Sequence, residues 1–421
     1  MAEDTNPKFF YGYIIVMAAF LATAVIIGTH VTFGVFLSSL LVEFGWTRAM
    51  TSGAFTLSMI LEGVAGIVAG RLTDRFGPRI VMVGCGFCLG LGYLLMSQIS
   101  VIWQLYLFLG VMIGTGMSGA IVPLVSTVAK WFVRRRGVMT GIVLAGTSAG
   151  IMIIPLLAGR LISAYGWRTS YIVLGIIVLI SVILAAQFLR RDPTRMRLLP
   201  YGANEVKEES SYQRATGFSL QQAIHTKQLW FLCVMYFIAL FCQLSILVHI
   251  VIHITGMGFS AASAASILSI IGGASVVGGI MMGNIADRIG YGPSLIICFV
   301  LTAITSFWLM VAREMWMLYL VTAIWGFATA GMVALFSPIG AQLFGLNSHG
   351  AIFGVVNLTG TIGGATGPVL IGHIFDTTGS YQVAFLICAA ASIIGIIPTL
   401  LLKLAVGKGE LDKRSASLTD G

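Results

Sequence analysis

An all-α membrane protein, with twelve transmembrane helices in two pseudo-symmetric six-helix bundles, is predicted by three features of the sequence. Hydrophobic residues fill 58% of the 421 positions and charged residues only 9%. The apolar residues gather into long runs separated by charged or turn-forming stretches. A pattern of glycine, proline and charged residues recurs 213 positions apart. A soluble domain holds about 45–50% apolar and about 25% charged residues, so an aqueous fold would need a core larger than this length can build. A spanning helix needs roughly 20 apolar residues, because the hydrocarbon layer is about 30 Å thick and a helix rises about 1.5 Å per residue.

The apolar runs fall near 11–41, 51–70, 78–98, 103–129, 137–163, 168–190, 230–254, 262–285, 291–312, 316–342, 350–374 and 381–405. They divide into an N-terminal half, 1–190, and a C-terminal half, 230–421, which ends in a short tail. The polar linker between them, 191–229, carries Glu205, Lys207, Glu208 and Glu209, and a short surface helix is expected near 218–226. No small-residue cleavage site follows the first run, so the chain from Tyr11 onward is expected to be a retained helix. With the N-terminus placed in the cytoplasm, the inner side holds 20 lysines and arginines and the outer side 4. This bias predicts a multi-pass protein of the cell inner (plasma) membrane with both termini cytoplasmic. Cationic loops facing anionic lipid also account for the net charge of +9 without a nucleic acid partner. The six cysteines lie inside apolar runs and read as small buried hydrophobes.

The repeat is specific. Gly70, Asp74, Arg75 and Gly77 recur as Gly283, Asp287, Arg288 and Gly290. The same shift takes Gly137 to Gly350, Gly141 to Gly354, Gly150 to Gly363, Pro155 to Pro368, Gly159 to Gly372 and Gly166 to Gly379. Glycine and proline mark close helix approach or bending. Two parallel six-helix halves imply a pseudo-two-fold axis along the membrane normal and a site between them, about which they can rock.

The segment from Gly70 to Arg79, joining the second and third runs, resembles the loop signature of the major facilitator superfamily, and Gly283 to Gly290 is its second copy. Gly70 and Gly283 allow a neighbouring helix to approach, while Asp74 can pair with an arginine or cap a helix start on the other bundle. The resemblance assigns gating to Gly70, Asp74, Arg75, Gly283, Asp287 and Arg288; a purely topogenic basic loop is the alternative. Phe10 to Tyr13, Phe44 to Arg48, Lys130 to Gly137 and Gly367 to Phe385 resemble monocarboxylate porters and, equally, the related oxalate/formate antiporters. Bacterial members usually carry an arginine on helix eight, and Gly279 stands in its place. Helix eleven lacks the lysine of the oxalate exchangers. A dianion without a fixed cation in low dielectric would be poorly satisfied, which disfavours oxalate.

Few polar side chains remain inside the spans. Glu62, midway along the second, is a candidate proton carrier, or an acid tied to a neighbouring helix. His30 in the first span, and His249 and His253 on one face of the seventh, are candidate substrate-binding groups. His249 sits where bacterial monocarboxylate porters have a histidine, which marks it for substrate and proton; all three could instead be interfacial. Gln243, Asn357 and Thr361 are neutral groups that could read a substrate or tie helices. The aromatic segment containing Trp230, Tyr236 and Phe241 reads as packing.

The expected function is secondary transport of a small organic solute, a monocarboxylate with a proton, by a chain functional as a monomer. The alternative is transport or export of a neutral or amphipathic solute, motivated by Gly279. A sensor is disfavoured because linker and tails offer no signalling domain. No nucleophile–base pair, metal-ligand set or phosphate-binding loop is visible, so neither an enzyme, a metal nor a cofactor is expected.

Overall fold

The computed structural model describes residues 10–203 and 217–419. Glu205, Lys207, Glu208 and Glu209 lie outside these described residues. The first helix, α1, runs as Gly12–Val31 and, past Thr32, as Phe33–Phe44. It is followed by α2 (Arg48–Phe76), α3 (Pro78–Met96) and α4 (Ile102–Trp131), the last containing a π-helical stretch, Tyr106–Ile113. Arg136–Phe188 is continuous in hydrogen bonding but broken at Gly166, whose φ of 76° and ψ of 165° are not helical. Fifty-three helical residues would reach about 80 Å, far beyond one bilayer. The break yields two spans, α5 (136–165) and α6 (167–188). The second half comprises α7 (Lys227–Gly256), α8 (Ala261–Ile289), α9 (Tyr291–Val311), α10 (Met315–Phe344), α11 (His349–Thr378) and α12 (Gln382–Thr419). The linker helix is a single short piece, Leu220–Ile224, capped by Ser219 and Gln222.

The repeat is visible in backbone chemistry. Thr47 caps α2 by accepting from the Met50 N–H at 3.2 Å, and Ser260 caps α8 by accepting from Ser263 at 3.1 Å. α2 ends at Gly77 with φ 91° and α8 at Gly290 with φ 93°, a region that glycine enters without steric penalty. Gly166 and Gly379 also share positive φ. Pro155 and Pro368 both lie inside helices, α5 and α11.

The surface fits a hydrocarbon solvent. Val42, Ile80, Leu156 and Val369 are between 65% and 87% exposed, and apolar exposure on this scale would drive association in water. Fully buried aromatics, Tyr93, Tyr171, Trp131 and Trp325, fill the insides of the bundles. At one corner Trp167 Nε1 donates to Glu43 at 2.5 Å and Arg168 pairs with the same carboxylate. The Trp167 bond, and then Arg168, hold the Glu43 carboxyl below its usual range.

Candidate functional site

The halves meet along two glycine seams related by the pseudo-two-fold. On one, α2 lies against α11: a Cβ placed on Gly70 would stand 2.1 Å from the Gly350 carbonyl oxygen. On the other, α5 lies against α8: a Cβ on Gly137 would stand 2.5 Å from Gly283 O, and one on Gly141 2.1 Å from Gly279 O. Backbones this close leave no room for any side chain.

Each seam is closed at the same face by an aspartate. Asp287, near the end of α8, accepts from the Gly137 N–H at 2.9 Å and the Val138 N–H at 3.1 Å, in the first turn of α5. Asp74, near the end of α2, accepts from the Ala351 N–H at 3.0 Å, in the first turn of α11. Both carboxylates thus meet N–H groups that lack an intrahelical partner, at the positive end of a helix in the opposite half. The cation beside Asp74 is Lys130, 2.8 Å away and from its own half, where an arginine was an alternative. Asp287 is met by the Tyr291 hydroxyl at 2.9 Å. Arg75 and Arg288 are exposed, and the Arg75 guanidinium lies over Phe76. At the other end, a Cβ on Gly159, Gly272 or Gly273 meets no atom within 4 Å.

Glu62 is residue 15 of the 29 in α2, so about 21 Å of helix runs to either end. It is half-buried, and among the described residues nothing hydrogen-bonds its carboxyl group. Its neighbours along the helix touch α11: a Cβ on Gly63 would lie 3.5 Å from Thr361 Cβ, and one on Gly66 4.0 Å from Asn357 Nδ2. The Tyr236 phenol of α7 is within electrostatic reach of Glu62. Glu62 thus lies in the cleft between the halves, on the stretch of α2 that meets Asn357 and Thr361 of α11, and within reach of the buried Tyr236. Thr361 spends its hydroxyl on the Asn357 carbonyl, 3.0 Å away.

The histidines separate. His30 is buried in the N-terminal half, stacked 4.5 Å from Phe55, with Nε2 2.9 Å from Ser58 Oγ, one turn before Glu62 on α2. His249 ties the C-terminal half: Nε2 donates to the Pro368 carbonyl at 2.9 Å, so Nδ1 accepts from the Tyr381 hydroxyl at 3.3 Å. His253, one turn on, is near the end of α7, away from the cleft. Gln243 is half-buried on α7 between Tyr236 and His249, without a hydrogen bond among the described residues. Sequence reasoning missed Lys130 as a gate partner, Tyr236 beside Glu62 and the buried His349, which bonds Ser337 at 3.0 Å. The repeat could not have found Lys130 or Tyr291, since positions 343 and 78 hold Leu343 and Pro78.

Two halves in contact along paired seams, latched at one face and holding at mid-span an acid unpaired among the described residues, have the build of a membrane solute carrier. The Major Facilitator Superfamily profile matches residues 18–296 and 274–418, and the chain belongs to this family. Monocarboxylate transporter 13 of Bos taurus is 26% identical over 388 residues, covering 91% of this chain and 88% of that protein. Monocarboxylate transporter 12 of Rattus norvegicus is 26% identical over 436 residues, covering 96% and 88%. The fold is also that of the proton:xylose symporter XylE bound to 6-bromo-6-deoxy-D-glucose, with a TM-score of 0.71 over 92% of this chain and 94% of that one at 14% identity. The resemblance to monocarboxylate porters read from the sequence is shown by these relatives.

Proposed function

We propose that this transporter carries a small monocarboxylate together with a proton by alternating access, as a monomer in the plasma membrane with both termini in the cytoplasm. In this reading the Asp74 and Asp287 latches close the cytoplasmic face, and the conformation described is open to the outside. The observation that carries the proposal is Glu62, an acid at mid-membrane depth beside Asn357 and Thr361 with no partner among the described residues. Charge accounting explains the coupling. An empty cleft with ionised Glu62 has one negative charge, and so does a cleft with protonated Glu62 and a bound carboxylate. A carboxylate beside ionised Glu62 would add a repulsion of roughly 4 kcal/mol at about 4 Å and an effective dielectric of about 20, near a thousand-fold in affinity. Anion and proton therefore travel together. The protonated acid donates a hydrogen bond to the substrate and supplies what the family arginine, replaced by Gly279, would have supplied. Asn357, Thr361 and Gln243 line the path as neutral contacts, and His30 supports Glu62 through Ser58. His249, with both ring nitrogens engaged, acts on substrate through the bend at Pro368.

A second reading, transport or export of a neutral or amphipathic solute, is favoured by Gly279: its own packing against Gly141 leaves helix eight without a cation at the seam. Glu62→Gln separates the two in proteoliposomes. The carboxylate reading expects lactate exchange to persist and accumulation driven by an imposed pH gradient to vanish. Accumulation equal to the parent's, or equal transport of lactamide and lactate, contradicts it.

A further inference from the structure

We propose that the far end of the C-terminal half holds a second binding site, for a small carboxylate with a flat apolar body. The site is separate from the cleft and does not rest on the substrate assigned to it. The ends of α7, α9 and α11 and the start of α12 enclose a cavity of about 260 Å³ there. That is below the range of about 300–1,000 Å³ for drug-sized ligands, and suits a single-ring or branched acid.

The lining combines two unspent polar groups with aromatic walls. Among the described residues His253 Nε2 is buried without a hydrogen-bond partner, and such a group is costly to leave unpaired. Arg313 lines the same cavity from the connection after α9, within electrostatic reach of His253. Among the described residues it has no ion pair. A guanidinium matches a carboxylate with two parallel hydrogen bonds, and an imidazole N–H can add a third. Phe375 and Tyr381 stack at 4.3 Å with their planes 19° apart, and Phe385 stands edge-on to His253 at 5.0 Å. These rings offer a slot to a flat apolar group. The nearby acids are Glu314, next to Arg313 in the chain, and Asp376, whose charge reaches Tyr381; neither lines the cavity. Burial first, and Asp376 second, raise the Tyr381 phenol, so it remains a hydroxyl and keeps donating to His249. Through that bond the cavity wall connects to the Pro368 carbonyl on α11, the helix that carries Asn357 and Thr361.

The test uses benzoate and the full-length purified protein, in lipid-free detergent and in vesicles with and without phosphatidylglycerol. The local readout is the nitrogen-15 resonance of His253 Nε2, with equilibrium binding of labelled benzoate beside it. Benzoate is expected to shift the resonance. Arg313→Gln, at an exposed position, is expected to weaken that response at least tenfold with an unchanged unfolding temperature, and Glu62→Gln to leave it intact. No shift, or the same response in Arg313→Gln, overturns the proposal. Displacement of benzoate by phosphatidylglycerol overturns it too, since the anion would then be a lipid headgroup. Loss of the response in Glu62→Gln would place the binding in the cleft instead.

Discussion

At the scale of single residues, the two latches share a geometry and differ in chemistry. Asp287 accepts two backbone N–H groups and a neutral phenol, whereas Asp74 accepts one backbone N–H and pairs with Lys130. Hydrogen bonds to charged groups contribute about 1.5–3 kcal/mol each, so together they hold the closed face by several kcal/mol. Asp74→Asn removes the charge and leaves the Lys130 ammonium, whose side chain is only 11% exposed, without its counter-ion. Asp287→Asn keeps a neutral hydrogen-bond partner in the Tyr291 hydroxyl. We expect both variants to fold and to open the latched face, Asp74→Asn by about tenfold or more and Asp287→Asn by less, one factor of ten being about 1.4 kcal/mol. Lys130→Met added to Asp74→Asn should recover part of the difference. Labelling rates of cysteines placed behind the latch measure all three; equal, parent-like rates would leave these loops a topogenic role alone.

At the scale of elements, the seams depend on glycine at paired positions. A Cβ on Gly141 or Gly283 would stand 2.1–2.3 Å from a facing carbonyl oxygen, with backbone on both sides and nothing soft to yield. Gly141→Leu should therefore prevent α5 and α8 from closing, abolishing transport while each half retains its helices. Gly159→Leu, where a Cβ has open space, should be tolerated. Circular dichroism with uptake distinguishes them, and normal uptake by Gly141→Leu would show that the seam need not form. These glycines were legible in the sequence because the repeat gives each a counterpart, and the helices because hydropathy and spacing are strong over twenty residues. The contact of Asp74 with a helix start on the other bundle was also foreseeable, from the motif itself. Lys130 was not: in sequence it is one more cation in a basic loop, and only folding brings α4's end beside Asp74. His249 and His253 looked alike at i and i+4, yet one has both nitrogens bonded and the other has Nε2 free. Tyr236 disappeared among its aromatic neighbours. The cavity at the far end was illegible because its walls come from chain segments as far apart as Ile252 and Phe385.

At the scale of the whole molecule, the pseudo-two-fold turns one latch into the other: Gly137 faces Gly283 as Gly350 faces Gly70. In the proposed alternating-access cycle, a rocking motion about this axis would open both latches together and close the far ends together, with Glu62 near the pivot. A ligand shifts such an equilibrium only by its differential affinity for the two states, and the account assigns that difference to a carboxylate arriving with a proton. Spin-label distances across both faces read this directly, on a background with the native cysteines replaced. One pair, at Ile80 and Ile289, spans the latched face; the other, at Val42 and Val311, spans the far face, and all four side chains are exposed. With lactate at acidic pH, we expect the first distance to lengthen while the second shortens, and Glu62→Gln to make the change independent of pH. Two distances that stay fixed with lactate across the pH range, or that lengthen together, would contradict the account.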